Sequence, residues 1–169
     1  MSDSRIKFFA DGLQCIQGNG DLKTAVGQLV QLAAEFANST SASFYIVDEA
    51  EQVLKPLVTF GLPESYVSLC GNVKIGEQCC GRAVEHRKPW VVSDMLTDPL
   101  FAAGRQAAVE SPMRAAFSIP VITEDGRCLG SLACHYDHVY EPTESDVSGN
   151  RTWADMIAHT LSHYKRTAA

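Results

Sequence analysis

The chain has 169 residues and a formal net charge of −6, from 14 basic and 20 acidic residues. This length suits one domain, and a hydrophobic fraction of 46% is enough for a buried core. The acidic balance argues against nucleic acid or an anionic membrane surface as a partner, because both require clustered basic residues. No apolar run is long enough to span a bilayer, and the N-terminus lacks the pattern of a secretory signal.

The cysteines are the one unusual feature of the composition, with six in the chain. An even number of cysteines predicts a disulfide framework in short secreted chains. This chain is long, and Cys79 and Cys80 are adjacent. We therefore expect reduced thiols in a cytoplasmic protein.

Two N-terminal helices are predicted from apolar residues at three- and four-residue spacing. The first covers residues 6–16. The second follows Asp21, a good capping residue, and covers residues 22–36. We expect residues 1–20 to form a dimerisation or linker helix and residues 21–169 to form the folded domain.

Four strands are predicted from aromatic and β-branched runs. Residues 41–48 and 53–60 form an antiparallel pair, and Pro56 inside the second strand predicts that this strand lies at an edge. Residues 115–122 and 128–136 flank an Asp-Gly turn, which is a strong hairpin signal.

Shorter elements are predicted between these two pairs of strands. They are a short helix over residues 64–69, a turn and helix over 76–87, a short strand over 89–93 and a helix-compatible segment within 94–112. A long C-terminal helix opens at Thr143, which forms a pattern like a capping box with Asp146. This order predicts one α+β domain with an antiparallel sheet and helical cover.

A series of glycine, proline and acidic motifs lies between Ile75 and Tyr136. The order is a Gly-x-x-x-x-Gly-x-Ala turn, a Pro-led strand, an Asp, an Asp-Pro, an Arg-Ala strand ending in Ser-x-Pro-Val, and a hairpin closing on Leu-Gly-x-Leu. These positions are Gly76, Gly81, Ala83, Pro89, Asp94, Asp98, Pro99, Arg114, Ala115, Ser118, Pro120, Val121, Leu129, Gly130 and Leu132. The series resembles a GAF domain, in the sensory type found with histidine kinases and cyclic-di-GMP enzymes.

The resemblance implies a fold and a function. The fold is an antiparallel sheet of five or six strands, with the N- and C-terminal helices on one face and short helices and loops roofing a pocket on the other. The function is a non-catalytic sensory module of bacterial signal transduction, as in two-component systems. Such a module binds a small-molecule ligand, forms a homodimer through its terminal helices and relays ligand state to an output domain, a kinase or a cyclic-di-GMP enzyme, in a longer protein.

One branch of the same family is catalytic, the free methionine-R-sulfoxide reductases. Cys70 and Cys80 match two cysteines of that branch in spacing and place. The position of its nucleophilic cysteine is Gly104 here, and its two acidic positions are Ala133 and His135. A thiol reductase without its attacking thiolate cannot perform its first step, so we expect no enzyme. A third alternative is a degenerate GAF domain used only for dimerisation, with an occluded pocket.

A compact group of possible metal ligands follows the hairpin, formed by Cys134, His135, Asp137 and His138. Neighbours on a strand point to opposite faces, and the spacing matches no zinc pattern. We therefore expect a strand end with solvated histidines and no metal. A haem would need an axial histidine in the pocket, for which only His86 and His135 are placed in the middle of the chain. We expect no cofactor.

Two candidate ligand-binding residues of the predicted roof are charged. Asp94 follows the short strand directly, where it either accepts hydrogen bonds from a ligand or caps its own loop. Arg105 either binds a carboxylate or phosphate group or forms an ion pair with Asp98 or Glu110.

The other candidates are apolar or weakly polar. Leu100 and Phe101 are expected to close the roof. On the strands, alternation separates two sets of side chains, but the sequence alone leaves open which set meets the pocket, because both faces of the predicted sheet are covered. The strand and helix candidates are Tyr45, Cys80, Phe117, Ser118, Cys134 and Tyr136.

Overall fold

The computed structural model describes residues 21–167. Its elements in chain order are α1 (Leu22–Phe36), β1 (Ser41–Asp48), β2 (Val53–Phe60), α2 (Glu64–Cys70), β3 (Val73–Lys74), α3 (Gln78–His86), β4 (Trp90–Val92), a 3₁₀-helix (Pro99–Gly104), α4 (Arg105–Val109), β5 (Ala115–Ile122), β6 (Cys128–Tyr136) and α5 (Glu144–Thr167). The helix predicted over residues 6–16, with its dimerisation or linker role, lies outside the described residues.

The six strands form one sheet in the order β3-β2-β1-β6-β5-β4, and every neighbouring pair is antiparallel. The predicted α+β class, the antiparallel sheet and the bounds of its four long strands are confirmed. The strand that was not predicted, β3, has only two residues, which is too short to show a period.

The prediction of β2 as an edge strand is wrong, because β3 lies outside it. β3 pairs only with Val53 and Leu54. Pro56 lies beyond this contact, opposite Tyr45 and next to a bulge in the pairing with β1. Its missing N–H therefore removes no bond to an outer strand, which is the situation in which a sheet tolerates proline.

Helices α1 and α5 cover one face of the sheet. Trp153 of α5 is fully buried and packs edge-on against Phe36 of α1, with ring centroids 6.2 Å apart. Gly149 makes this close approach possible, because a Cβ atom there would lie 2.0 Å from the Phe36 ring. The predicted packing of terminal helices on one face is thus present for α1 and α5.

Both helices begin with the caps that the sequence predicts. The Asp21 carboxylate accepts from the backbone N–H groups of Lys23 and Thr24, at 2.9 and 3.1 Å. At α5, the Thr143 N–H donates to Asp146 at 2.8 Å and the Asp146 N–H donates to the Thr143 hydroxyl at 3.2 Å. These bonds satisfy N–H groups that a helix start leaves without partners.

The short helices and the 3₁₀-helix cover the opposite face. Glycine at position 81 lets α3 begin against β3, because a Cβ atom there would lie 2.1 Å from the Lys74 carbonyl oxygen. The Gly76 N–H donates to the Gly81 carbonyl at 3.0 Å and closes the turn. This backbone crossing is the physical reason for the Gly-x-x-x-x-Gly motif. None of the described helices is long and apolar enough to cross a membrane.

Candidate functional site

A cavity of about 300 Å³, including the part open to solvent, lies between the sheet and its cover of short helices. The sheet contributes Ser43 and Tyr45 from β1, Ala116 from β5 and His135 from β6. The enclosed part is much smaller, about 20 Å³, which is room for about one water molecule.

Three cysteines line the cavity on its helical side, Cys70 from α2 and Cys79 and Cys80 from α3. All three are free thiols. Burial raises the pKa of Cys70 to about 11 and also raises the pKa of Cys79 and Cys80. The thiols are therefore protonated at neutral pH and act as small apolar side chains.

His135, on β6, has a buried polar atom that makes no hydrogen bond in the described chain. Its Nε2 lies 3.1 Å from the Ser43 hydroxyl, whereas its buried Nδ1 has no hydrogen-bond partner within residues 21–167. Burial lowers the pKa of His135 to about 4, so the ring is neutral at pH 7. The expectation of solvated histidines is wrong here, because His135 packs edge-on beneath Tyr66 of α2, with ring centroids 5.8 Å apart. His138 is exposed, as expected.

On the helical side of the cavity, Gln78 at the start of α3 is a second polar side chain of the lining. It is 7% exposed and lines the cavity, and its amide makes no hydrogen bond within the described chain. Its φ of +51° lies in the left-handed region that residues with a side chain seldom adopt. The buried His135 Nδ1 and the Gln78 amide, neither with a hydrogen-bond partner in the described chain, therefore border one small cavity.

Sequence reasoning missed both of these groups. Gln78 lies inside the glycine turn motif, where a polar residue at a helix start was the available signal. His135 was considered only as a metal or haem ligand, because a polar residue near a strand end is usually solvated.

Three predicted ligand-binding residues do line the cavity, namely Tyr45, Cys80 and Phe101. A fourth, Ser118, is buried on the same side of the sheet and donates to the Cys80 sulfur at 3.3 Å. Ser118 thus supports the lining without forming part of it.

Three other predicted residues lie on the opposite face. Phe117 pairs directly with Cys134 across the hairpin, and Tyr136 is two residues further along β6, so all three share one face. They pack in the core beneath α1 and α5. The structure does not bring them to the cavity.

Asp94 adopts the loop-capping role. Its carboxylate accepts from the Leu96 N–H at 3.0 Å and from the Arg114 side chain at 3.0 and 3.2 Å. The Arg114 guanidinium holds the pKa of this carboxyl below its usual value. Asp94 is therefore engaged within the protein and does not line the cavity.

The remaining roof candidates also lie away from the cavity lining. Arg105 donates to the backbone carbonyl of Asp98 at 2.7 Å, in place of the side-chain ion pair considered from the sequence. Leu100 is 46% exposed. Of the residues predicted to close the roof, Phe101 alone lines the cavity.

The packing around Gly104 bears on catalysis. A Cβ atom at this position would lie 2.7 Å from Phe101 Cζ and 2.9 Å from Gln78 Oε1. The residue that stands at the nucleophile position of the reductase branch thus has no room for a side chain as the site is packed. Within residues 21–167, no three His, Cys, Asp or Glu side chains are arranged to hold a metal ion.

Among curated proteins, the chain is similar in sequence to part of a sensor protein. The methyl sulfide methyltransferase-associated sensor of Methanosarcina acetivorans is 21% identical over 159 residues, which are 93% of this chain and 16% of that protein. The chain therefore spans only a small part of the length of this relative.

Solved structures share the fold. The GAF domain of a phosphoenolpyruvate-protein phosphotransferase from Coxiella burnetii has a TM-score of 0.83 and 21% identity, covering 99% of both chains. The free methionine-R-sulfoxide reductase of Neisseria meningitidis, in complex with its substrate, has a TM-score of 0.78 and 20% identity, covering 99% of this chain and 95% of that one. The sequence profile of the GAF domain matches residues 21–161, and the chain therefore belongs to the GAF domain family.

Proposed function

We propose that this domain is a non-catalytic sensory module that binds a small molecule in the cavity and relays its presence in signal transduction. The observation that carries the proposal is that the buried His135 Nδ1, which has no partner in the described chain, and the Gln78 amide border one cavity. A buried polar group without a partner costs about 1–3 kcal/mol. A ligand that supplies partners would recover part of that cost.

The strand β6 offers a route from the cavity to the terminal helices. His135 faces the cavity, while its neighbours face α1 and α5. The Tyr136 hydroxyl donates to the Ala37 carbonyl at the end of α1, at 3.1 Å, and the Cys134 thiol donates to Asn150 of α5, at 3.4 Å. A ligand that shifts β6 by binding two states unequally would therefore shift the contacts of both helices.

We propose that the domain acts as a homodimer and passes this shift to an output domain, a kinase or a cyclic-di-GMP enzyme, in a longer protein. The large exposed apolar side chains of the described residues are Leu69, Leu100, Val109 and Val139, and these lie outside α1 and α5. We therefore assign pairing mainly to the apolar stripe predicted over residues 6–16.

The absence of catalysis is also a proposal. Each thiol that lines the cavity has a raised pKa, which opposes formation of the thiolate needed for attack. The packing of Phe101 against Gly104 supports the same conclusion. The small enclosed part of the cavity favours a second alternative, a dimerisation-only module with an occluded pocket.

The reductase alternative is favoured by one observation, that Cys70 and Cys80 line the same cavity. An assay of NADPH-coupled turnover with thioredoxin and free methionine sulfoxide separates the two functions. We expect no turnover. Turnover that Cys80→Ser abolishes would replace the sensory proposal with an enzymatic one.

The sensory proposal is tested by thermal-shift screening of the full chain against small metabolites and cyclic nucleotides. We expect at least one compound to raise the melting temperature, because a ligand that binds only the folded state stabilises it. A complete screen without a stabilising compound would count against ligand sensing.

A further inference from the structure

The lining of the cavity has no formally charged side chain. Among the described residues, no Asp, Glu, Lys or Arg lines it. Near the cavity, Asp94 pairs with Arg114 and Arg105 donates to the Asp98 carbonyl, although the buried Arg105 Nε has no partner in the described chain. A charged ligand that touches only the lining would lose its hydration without gaining an opposite charge, which is a large cost in a buried site.

The ionisable residues of the lining are neutral at pH 7 as well. Burial lowers the pKa of His135 to about 4 and raises the pKa of Cys70 to about 11. Burial also raises the pKa of Tyr45 and Tyr66. The neutrality of the cavity thus holds across the range of pH in which proteins normally work.

The contact between Ser43 and His135 leaves His135 Nδ1 as the ring atom with which a ligand would pair. Ser43 is fully buried, and its one hydrogen bond within the described chain joins its hydroxyl to His135 Nε2. Either Ser43 donates to Nε2 and Nδ1 carries the ring proton, or Nε2 donates to Ser43 and Nδ1 is an acceptor. In both tautomers Nδ1 is a buried polar atom without a partner in the described chain. Gln78 adds an amide with two donors and one acceptor.

The rest of the lining is apolar, with Met95, Phe101 and the cysteines beside these polar groups. We propose that the ligand is a small uncharged molecule with a group that both donates and accepts hydrogen bonds, such as an amide, next to a compact apolar group. This inference rests on the proposed sensory function. It excludes free amino acids, carboxylates and nucleotides, all of which carry charge at neutral pH.

Pairs of matched probes that differ in charge test the inference. We would titrate the full chain at pH 7.4 with acetamide and acetate, isobutyramide and isobutyrate, and benzamide and benzoate. NMR would follow the side-chain amide of Gln78 and the ring nitrogens of His135. We expect saturable shifts at both residues with at least one amide, and binding of its carboxylate partner weaker by about tenfold or more.

Two variants test whether the probes bind at the cavity. Gln78→Leu removes one of the polar partners, and we expect it to weaken binding of the amide severalfold. Gln28→Leu makes the same change at an exposed position of α1 and should leave binding unchanged.

The outcomes distinguish the inference from the proposed function. Carboxylates that bind as tightly as amides, with shifts at Gln78 and His135, would overturn the neutral-ligand inference and retain a ligand site. If no probe binds, the inference fails. The sensory function then stands if the metabolite screen gives a compound that Gln78→Leu no longer binds, and falls if it does not.

Discussion

At the scale of single residues, His135 combines full burial with a ring that could take up a proton. Its contacts are the neutral groups of Ser43 and Tyr66, so no nearby charge favours the protonated form. Folding therefore depresses the pKa of His135 from its ordinary value of 6.5 to about 4. The unfolded chain then binds this proton at a higher pH than the folded chain does.

The stability of the domain should consequently depend on this residue in acid. The contribution of neutral His135 is complete above about pH 6.5 and is lost as the pH falls towards 4, because the unfolded state binds more protons in that interval. Between pH 7.5 and 5.5 we expect a loss of about 1.4 kcal/mol from the free energy of unfolding, measured in urea.

The His135→Gln variant should lose this part of the pH dependence, since glutamine does not titrate. His138→Gln provides the control, because His138 is exposed. A His135→Gln variant with the same pH dependence as the wild type would show that His135 is not held neutral.

Gly104 provides a second residue-level prediction. Gly104→Ala places a methyl group against Phe101, and overpacking of this kind costs about 1–3 kcal/mol. The Phe101→Leu change removes the ring that causes the clash. In urea unfolding, the double variant should therefore be less destabilised than the sum of the two single variants. Simple additivity would contradict the clash.

At the scale of elements, two glycines in helices should respond to alanine in opposite ways. A Cβ atom at Gly149 would lie 2.0 Å from the Phe36 ring, so Gly149→Ala must separate α1 from α5. A Cβ atom at Gly27 would lie 3.3 Å from a methyl group of Val58. Alanine also favours a helix interior over glycine by about 1 kcal/mol.

We therefore expect Gly149→Ala to destabilise the domain by more than about 2 kcal/mol and Gly27→Ala to be neutral or stabilising. Thermal unfolding monitored by circular dichroism compares the two variants directly. Equal melting temperatures would contradict the close α1–α5 contact.

The elements that the sequence predicts well are those with a strong local signal. The Asp21 cap, the Thr143–Asp146 capping box and the Asp-Gly hairpin are all present with the expected bounds. The two-residue strand β3 has no period to detect. The strand β2 was predicted to be an edge because Pro56 cannot donate a backbone hydrogen bond, and the sequence does not show that a two-residue outer strand pairs only with Val53 and Leu54.

The candidate site was predicted only in part, for a reason that lies in β5. Residues 115–121 are buried on both faces of this strand, so polar and apolar residues do not alternate and the sequence does not reveal which face meets the cavity. Phe117 and Ser118, which face opposite sides, were therefore both kept as candidates. The burial of Gln78 and His135 depends on α2 and the 3₁₀-helix folding over the sheet, which is a tertiary effect.

At the scale of the whole molecule, the described residues do not by themselves account for the proposed dimerisation. The apolar stripe predicted over residues 6–16 contains Phe9 and Leu13. We expect Leu13→Asp to convert a dimer to a monomer in light scattering coupled to size exclusion, without loss of the fold. Gln14→Asp, at a neighbouring polar position, is the control. A dimer that persists in Leu13→Asp would place the interface elsewhere.

The proposed sensing would reach the helices through β6, whose alternating side chains contact the cavity on one face and α1 and α5 on the other. The central claim is that ligands bind in this cavity through Gln78 and His135. Isothermal titration calorimetry of the first compound that stabilises the wild-type chain tests it most directly. We predict binding weakened about tenfold or more in both Gln78→Leu and His135→Gln, and unchanged in Gln28→Leu. Equal affinity in all four proteins would contradict the claim, because the compound would then bind outside this cavity.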